Sequence, residues 1–180
     1  LAAAAREGVD SAVIRAGDFF GGPGSGTWLD LAMMTQLGRG KFIYPGNADM
    51  THAWAYLPDL AQVFVRVAAQ RAQLRGLHRL HFAGHTLTGA DFKAATEAVL
   101  GRELRSGGLP WWLMRLVAPF NPMWRELLVM RYLWERPHAL EDSALRELIG
   151  TVPRTPLPQA LRSALAELDV EMATAALASA

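Results

Sequence analysis

The stretch Val9-Asp10-Ser11-Ala12-Val13-Ile14-Arg15-Ala16, followed at once by Gly17-Asp18-Phe19-Phe20-Gly21-Gly22-Pro23-Gly24-Ser25-Gly26, decides the fold class. Its first eight residues alternate and then run apolar through Val9, Ala12, Val13 and Ile14. A short, β-branched run of this kind reads as a buried strand of a parallel sheet. The glycine-rich segment behind it reads as a long loop. Thr27 then suits the N-cap of a helix over 27–37, with Trp28, Leu31, Ala32, Met34 and Thr35 near helical spacing and Gly38 and Gly40 as the stop. Strand, glycine loop and helix in this order invite a phosphate-cradling turn at a helix N-terminus. The spacing opposes it: with Gly22 and Gly24 as the first glycines of G-x-G-x-x-G, Thr27 falls on the third. The loop therefore reads as a wide substrate-side or linking loop.

Working outward, residues 1–7 are strong helix formers stopped by Gly8, so the chain is expected to open inside the last turns of a helix and to be a piece of something longer. Downstream, 41–44 reads as a strand ending at Pro45-Gly46-Asn47, and 51–57 as another, alternating Trp54 and Tyr56 with smaller residues. Pro58 and Asp59 open a helix with Leu60, Val63, Phe64, Val67 and Ala68 on one face. Residues 77–82 form a strand, and Thr88 with Asp91 approximates a capping box for a helix through Leu100. A short strand is expected over 103–105. Residues 110–135 are mostly helical, broken near Pro119, Asn121 and Pro122, and further helices run over 142–149 and 155–168. Strands alternating with helices, then helices alone, indicate an α/β unit with an appended lobe. The expected organisation is 1–100 with the last Rossmann-like strands mixed with substrate-lobe segments, 101–168 as a helical substrate-binding lobe, and 169–180 as a frayed Ala-rich tail.

Composition excludes several classes. At 180 residues the chain is long enough to bury roughly 70% of its unfolded surface. Hydrophobic residues at 51% against charged residues at 19% rule out intrinsic disorder. Eighteen basic against 17 acidic residues leave a net charge of +1, with no field to hold a polyanion, so no nucleic-acid partner is expected. Cysteine is absent, which removes disulfides, thiolate metal sites and a Cys nucleophile, and is compatible with a reducing cytoplasm. The most apolar run, 109–120, contains Pro110 and Arg115 and is too short for a membrane span.

Four constellations carry potential chemistry. His78, His81 and His85 have a metal-like spacing, but on a strand a three-residue step points side chains to opposite faces, and no acidic partner is near in sequence. No metal is expected. Ser, His and Asp are all present, yet no G-x-S-x-G elbow anchors a hydrolase triad. Asp18 and Asp59 would work as acid and base only if the fold joined them, and Asp59 is better explained as a helix N-terminal residue. The aromatics Trp111, Trp112, Trp124, Tyr132 and Trp134 suit packing between helices first, and a ligand pocket, dimer face or membrane interface second.

Three stretches in order resemble the C-terminal half of the extended short-chain dehydrogenase/reductase family, the NAD-dependent epimerase/dehydratases. Val13-Ile14-Arg15-Ala16-Gly17-Asp18-Phe19-Phe20-Gly21 is similar to the family's strand ending in Arg-Pro-x-x-x-Tyr/Phe-Gly-Pro, with Ala16 in place of Pro. Trp54-Ala55-Tyr56-Leu57-Pro58-Asp59-Leu60-Ala61 is similar to its Phe-x-Tyr-Val-x-Asp-x-Ala, and 140–161 to its closing helix, Gly, Pro-x-Thr-Pro-Leu and final helix.

The resemblance implies the distal part of a Rossmann-like doubly wound sheet with a mainly helical substrate lobe. It sets Ala16, Gly17, Asp18 and Phe19 beside the nicotinamide of NAD or NADP, largely through backbone, and Phe20, Trp28, His52, Trp54 and Trp111 in the substrate pocket. Residues 47–52 lack the Arg that many sugar-nucleotide enzymes place there, which points away from a nucleotide-sugar. The family's G-x-x-G-x-x-G loop and Tyr-x-x-x-Lys pair do not occur: Tyr44, Tyr56 and Tyr132 have Ala48, Leu60 and Arg136 four residues on. In the family that Tyr is the acid/base and the Lys lowers its pKa. The expectation is thus the substrate-binding portion of a cytoplasmic oxidoreductase, cut after its catalytic pair, inactive alone and acting on a small molecule; homodimers are common in the family, but the helices that usually form them lie mostly upstream, so the oligomeric state stays open. The alternative is a non-catalytic binding or scaffold protein using the aromatic lobe as its interaction surface.

Overall fold

The computed structural model describes residues 6–22, 26–27 and 29–178. Seven strands are described: β1 (Ser11–Arg15), β2 (Asp18–Phe20), β3 (Lys41–Tyr44), β4 (Thr51–Tyr56), β5 (Leu77–His81), β6 (His85–Thr88) and β7 (Arg105–Gly108). β1 pairs parallel with β5, β2 parallel with β4, β4 antiparallel with β6, and β3 parallel with β7. The helices are α1 (Leu57–Ala69), α2 (Gly89–Leu100), α3 (Trp111–Val117), α4 (Pro122–Met130), α5 (Ser143–Ile149) and α6 (Leu157–Ala178). This is the expected α/β class with parallel pairing, the helices gathering in the second half. Among the described residues no helix is long and apolar enough to cross a membrane.

The segment read as one strand over 9–16 divides at Ala16-Gly17, where the chain leaves β5 and continues as β2 against β4. Gly17 permits the crossing, because a Cβ at this position would run into the Ala53 carbonyl of β4. Among the described residues β5 is the one strand partner of β1, which buries none of its residues, unlike the buried strand its apolar run suggested.

β4 divides the interior. Its side chains alternate across the sheet, so Trp54 and Tyr56 enter an aromatic core with Phe20, Phe42, Tyr44, Phe92, Trp134 and Leu161, while Ala55 joins Leu60, Val63, Val67, Leu80, Phe82 and Leu145 on the other side. The buried stripe of α1 is Leu60, Val63 and Val67; Phe64, assigned to that face from sequence, is 52% exposed.

Two local readings change. The described residues of 27–37 do not form an α-helix: Thr27 Oγ1 accepts from the Asp30 N–H, the cap read from sequence, and the Asp30 carboxylate accepts from the Thr27 N–H in return, but the segment closes as a wide i→i+5 turn over Leu29–Met33, Met34 N–H donating to the Leu29 carbonyl at 2.9 Å. The wider turn lets the consecutive residues Ala32, Met33 and Met34 all face inward, more than one α-helical stripe can bury. The strand expected over 103–105 lies instead at Arg105–Gly108. By contrast, the Thr88–Asp91 capping box is complete, and the breaks at 118–121 fall at the prolines.

Candidate functional site

Asp18 begins β2 directly opposite Trp54 in the parallel ladder, and His52 lies two residues earlier on β4. Period-two alternation puts Asp18 and Phe20 on one face of β2, and His52, Trp54 and Tyr56 on the matching face of β4. Asp18 Oδ2 consequently comes to 3.9 Å from His52 Nδ1. A third group arrives from far along the chain. After α4 and a tight turn over Arg131–Glu135, the His138 N–H donates to the Thr51 carbonyl at 2.9 Å, which sets the His138 ring edge-on to His52 with centroids 4.7 Å apart. His, Asp and His thereby offer one nitrogen or oxygen each, all within 4.8 Å of one another.

Aromatic rings wall this group. His52 stacks on Trp134 at 5.0 Å and meets Tyr44 edge-on at 6.4 Å, while Trp54 leans on Trp134 at 5.9 Å. His52 is fully buried, yet neither of its ring nitrogens has a hydrogen-bond partner in the protein; Asp18 Oδ2, Tyr44 Oη and Trp54 Nε1 are likewise buried without one. Buried polar atoms are ordinarily hydrogen-bonded. Several unpartnered ones converging on one place are the mark of a site, since an interior built only for stability would have satisfied or omitted them. Burial holds the Tyr44 phenol protonated, reinforced by the Asp18 carboxylate. Burial likewise lowers the His138 pKa, helped by His52 and opposed by Asp18 and by a backbone bond to Arg136.

On the solvent side of this wall is a cleft of about 320 Å³ whose lining includes Tyr44, Asn47, Met50, Trp111, Arg131 and Trp134. Trp111 is fixed there by its indole N–H donating to the Pro45 carbonyl at 2.7 Å, with the Arg131 guanidinium over its ring at 5.7 Å. A larger cleft of about 490 Å³ lies near Phe82, Asp142, Arg146 and residues 150–154, and takes in none of the residues singled out from sequence.

The sequence-derived residues are thus distributed unevenly. Asp18, His52, Trp54 and Trp111 come to the site or its wall. Phe20 and Trp54 are wholly buried, Phe20 against Tyr56 and Phe92, and Trp54 against Phe92. Ala16 packs toward the second core, Gly17 lies against Ala53, and Phe19 is exposed; Trp28 lies outside the described residues. Asp59 does not meet Asp18: its two oxygens accept from Thr155 N–H at 2.6 Å and Thr155 Oγ1 at 2.7 Å. His78 and His81 lie on β5 and His85 on β6, and these three form no shared site. Tyr44, Trp134 and His138 were missed, and only Trp134 carried a signal, as a member of the aromatic group.

No protein-family profile matches the sequence, and no curated protein matches it. Solved structures do match by fold. UDP-glucuronic acid 4-epimerase from Bacillus cereus, in complex with UDP-glucuronic acid and NAD, superposes with a TM-score of 0.65 at 14% identity, over 89% of this chain and 46% of that one. RMD from Pseudomonas aeruginosa, complexed with NADPH, gives 0.64 at 14% identity, over 93% and 50%. The NAD-dependent NDP-hexosamine 5,6-dehydratase TunA gives 0.60 at 16% identity, over 90% and 46%. The chain spans about half the length of the structures it matches.

Proposed function

We propose, from the fold these 180 residues share with NAD-dependent epimerases and dehydratases of the extended short-chain dehydrogenase/reductase type, that they are the substrate-binding portion of an NAD(P)-dependent epimerase-, dehydratase- or reductase-like oxidoreductase of the cytoplasm. The observation that carries the reading is the match of about nine-tenths of this chain to about half of each such enzyme. The open side of β1 supports it, since a strand with one neighbour and no buried residue suits a sheet that continues through further polypeptide.

Ala16, Gly17, Asp18 and Phe19 follow the carboxyl end of β1, which runs parallel to β5, and ligands of open α/β sheets bind at the carboxyl ends of their strands. When bound, the cofactor supplies a hydride acceptor and donor. The chain's own residues hold the substrate: the Asp18, His52 and His138 group meets a substrate hydroxyl, and the protonated Tyr44 phenol donates beside it. Trp111 and Trp134 exclude water from one side. Phe20 and Trp54 support this wall from within. The phosphate loop and Tyr-x-x-x-Lys pair that the reaction needs do not occur in these residues, so this chain alone transfers no hydride.

The test is nicotinamide-nucleotide binding and turnover by the full-length protein with a panel of small carbonyl and hydroxyl substrates, alongside the 180-residue chain. Binding and turnover by the first and no turnover by the second is the expected result. Turnover by the short chain would remove the division of labour. Failure of the full-length protein to bind NAD(H) or NADP(H) would overturn the enzyme reading in favour of a binding or scaffold protein, to which the exposed Trp112, Leu116 and Phe120 of the aromatic lobe would then belong.

A further inference from the structure

Asp18, His52 and His138 have the composition of a three-ligand metal centre, two imidazoles and one carboxylate. We propose that these three side chains bind a divalent transition metal ion of the zinc class, with a further coordination position open to water or to a substrate oxygen. The inference stands on this chain's own residues and does not depend on the proposed reaction.

The first ground is the unmet demand of the ligand atoms. His52 is fully buried with both ring nitrogens unpartnered, and Asp18 Oδ2 is buried and unpartnered beside it. At 3.9 Å the two are too far apart to hydrogen-bond to each other. A cation between them would compensate both at once, and the carboxylate would offset half the charge of the ion within the aromatic surround.

The second ground is reach. Metal–ligand bonds of about 2.0–2.2 Å put tetrahedral neighbours about 3.3–3.6 Å apart, while the ligand atoms here lie within 4.8 Å. Side-chain torsion alone closes that gap, because each backbone is already held. Asp18 and His52 belong to the β2–β4 ladder, and His138 is tied by its N–H to Thr51, the residue before His52.

The third ground is the donor set. Two imidazoles with one carboxylate favour zinc and its late first-row neighbours, whereas magnesium and calcium demand mostly oxygen. Three protein ligands with an open position is the pattern of reactive zinc sites rather than closed structural ones.

The experiment uses untagged full-length protein, stripped with chelator and titrated with Zn²⁺ against a chromogenic competitor, with Co²⁺ absorption as the coordination readout. The expected result is one ion bound per chain, a visible Co²⁺ spectrum of low-symmetry geometry, and affinity weakened at least ~10-fold by Asp18→Asn and by His138→Ala. His52→Ala removes a core ring and is informative only if its circular dichroism matches the parent. The partly exposed His138 keeps the test valid in either case. His78→Ala with His81→Ala is the control and should leave binding unchanged. Absence of stoichiometric binding, binding that survives both Asp18→Asn and His138→Ala, or binding abolished by the His78/His81 control would each overturn the proposal.

Discussion

At Gly17 one hydrogen atom decides the path of the chain. The strand leaving β5 can lie against β4 only because nothing projects from this α-carbon toward the Ala53 carbonyl. Gly21, the residue after Phe20, which pairs with Tyr56 at the end of β2, has φ +67° and faces the Tyr56 ring, so its freedom serves the same junction. Backbone cannot retreat as a flexible side chain can, and overpacking of this kind costs roughly 1–3 kcal/mol or more. Gly17→Ala is therefore expected to destabilise the fold by at least that lower figure in denaturant unfolding, and to pull Asp18 away from His52. A Gly17→Ala protein as stable as the parent would show that the crossing is not tight. The glycine was visible in the sequence as part of a loop, but the reason for it was not, because its obstacle is a carbonyl on a strand far along the chain.

Elements are joined by side chains that the sequence presented in a different role. Asp59 reads as a helix N-terminal carboxylate and does occupy the first turn of α1, but it is 3% exposed and clamps Thr155 through both oxygens. That clamp ties the start of α1 to the segment entering α6. Thr155→Val removes the hydroxyl bond and keeps the backbone one, so a loss of about 1 kcal/mol is expected. Asp59→Ala orphans the partly buried Thr155 backbone N–H as well, and should cost about 1–3 kcal/mol. The double variant should cost clearly less than the sum, which a double-mutant cycle by urea unfolding measures; strict additivity would mean that the two do not act as a pair. The capping box at Thr88–Asp91, the proline breaks near 119–122 and the helix stop at Gly150 were all legible, because each depends on neighbours within a few residues. The i→i+5 turn at Leu29–Met33 was not, because it answers to the core it fills. The His52–Asp18–His138 group was illegible for the same reason: strand register and one backbone bond assemble it, while the histidine spacing that did stand out, at 78, 81 and 85, is divided between two strands.

Across the whole molecule, β4 and β6 lie between two cores, and His85 is held in that partition opposite Trp54, its ring 6.1 Å from Phe20. Burial lowers its pKa, the Arg154 guanidinium lowers it further, and Asp59 and a Thr155 backbone bond oppose them only in part. The folded chain therefore refuses a proton that the unfolded chain accepts near the usual histidine value of about 6.5. Stability from this group is complete above that value and is lost as pH falls through its folded value, with a slope of at most about 1.4 kcal/mol per pH unit. Asp10, Asp91, Glu97 and Glu141 are lowered by their hydrogen bonds, so their contribution is lost only in the more acid carboxylate range. Urea unfolding should accordingly show a less stable protein at pH 5.5 than at pH 7.5, before the carboxylates titrate. His85→Gln, which keeps a polar side chain of similar reach without the titration, should reduce that difference. A stability that is flat or rising on acidification, or a His85→Gln profile parallel to the parent's, would place the linked protons elsewhere than in the strand partition between the two cores.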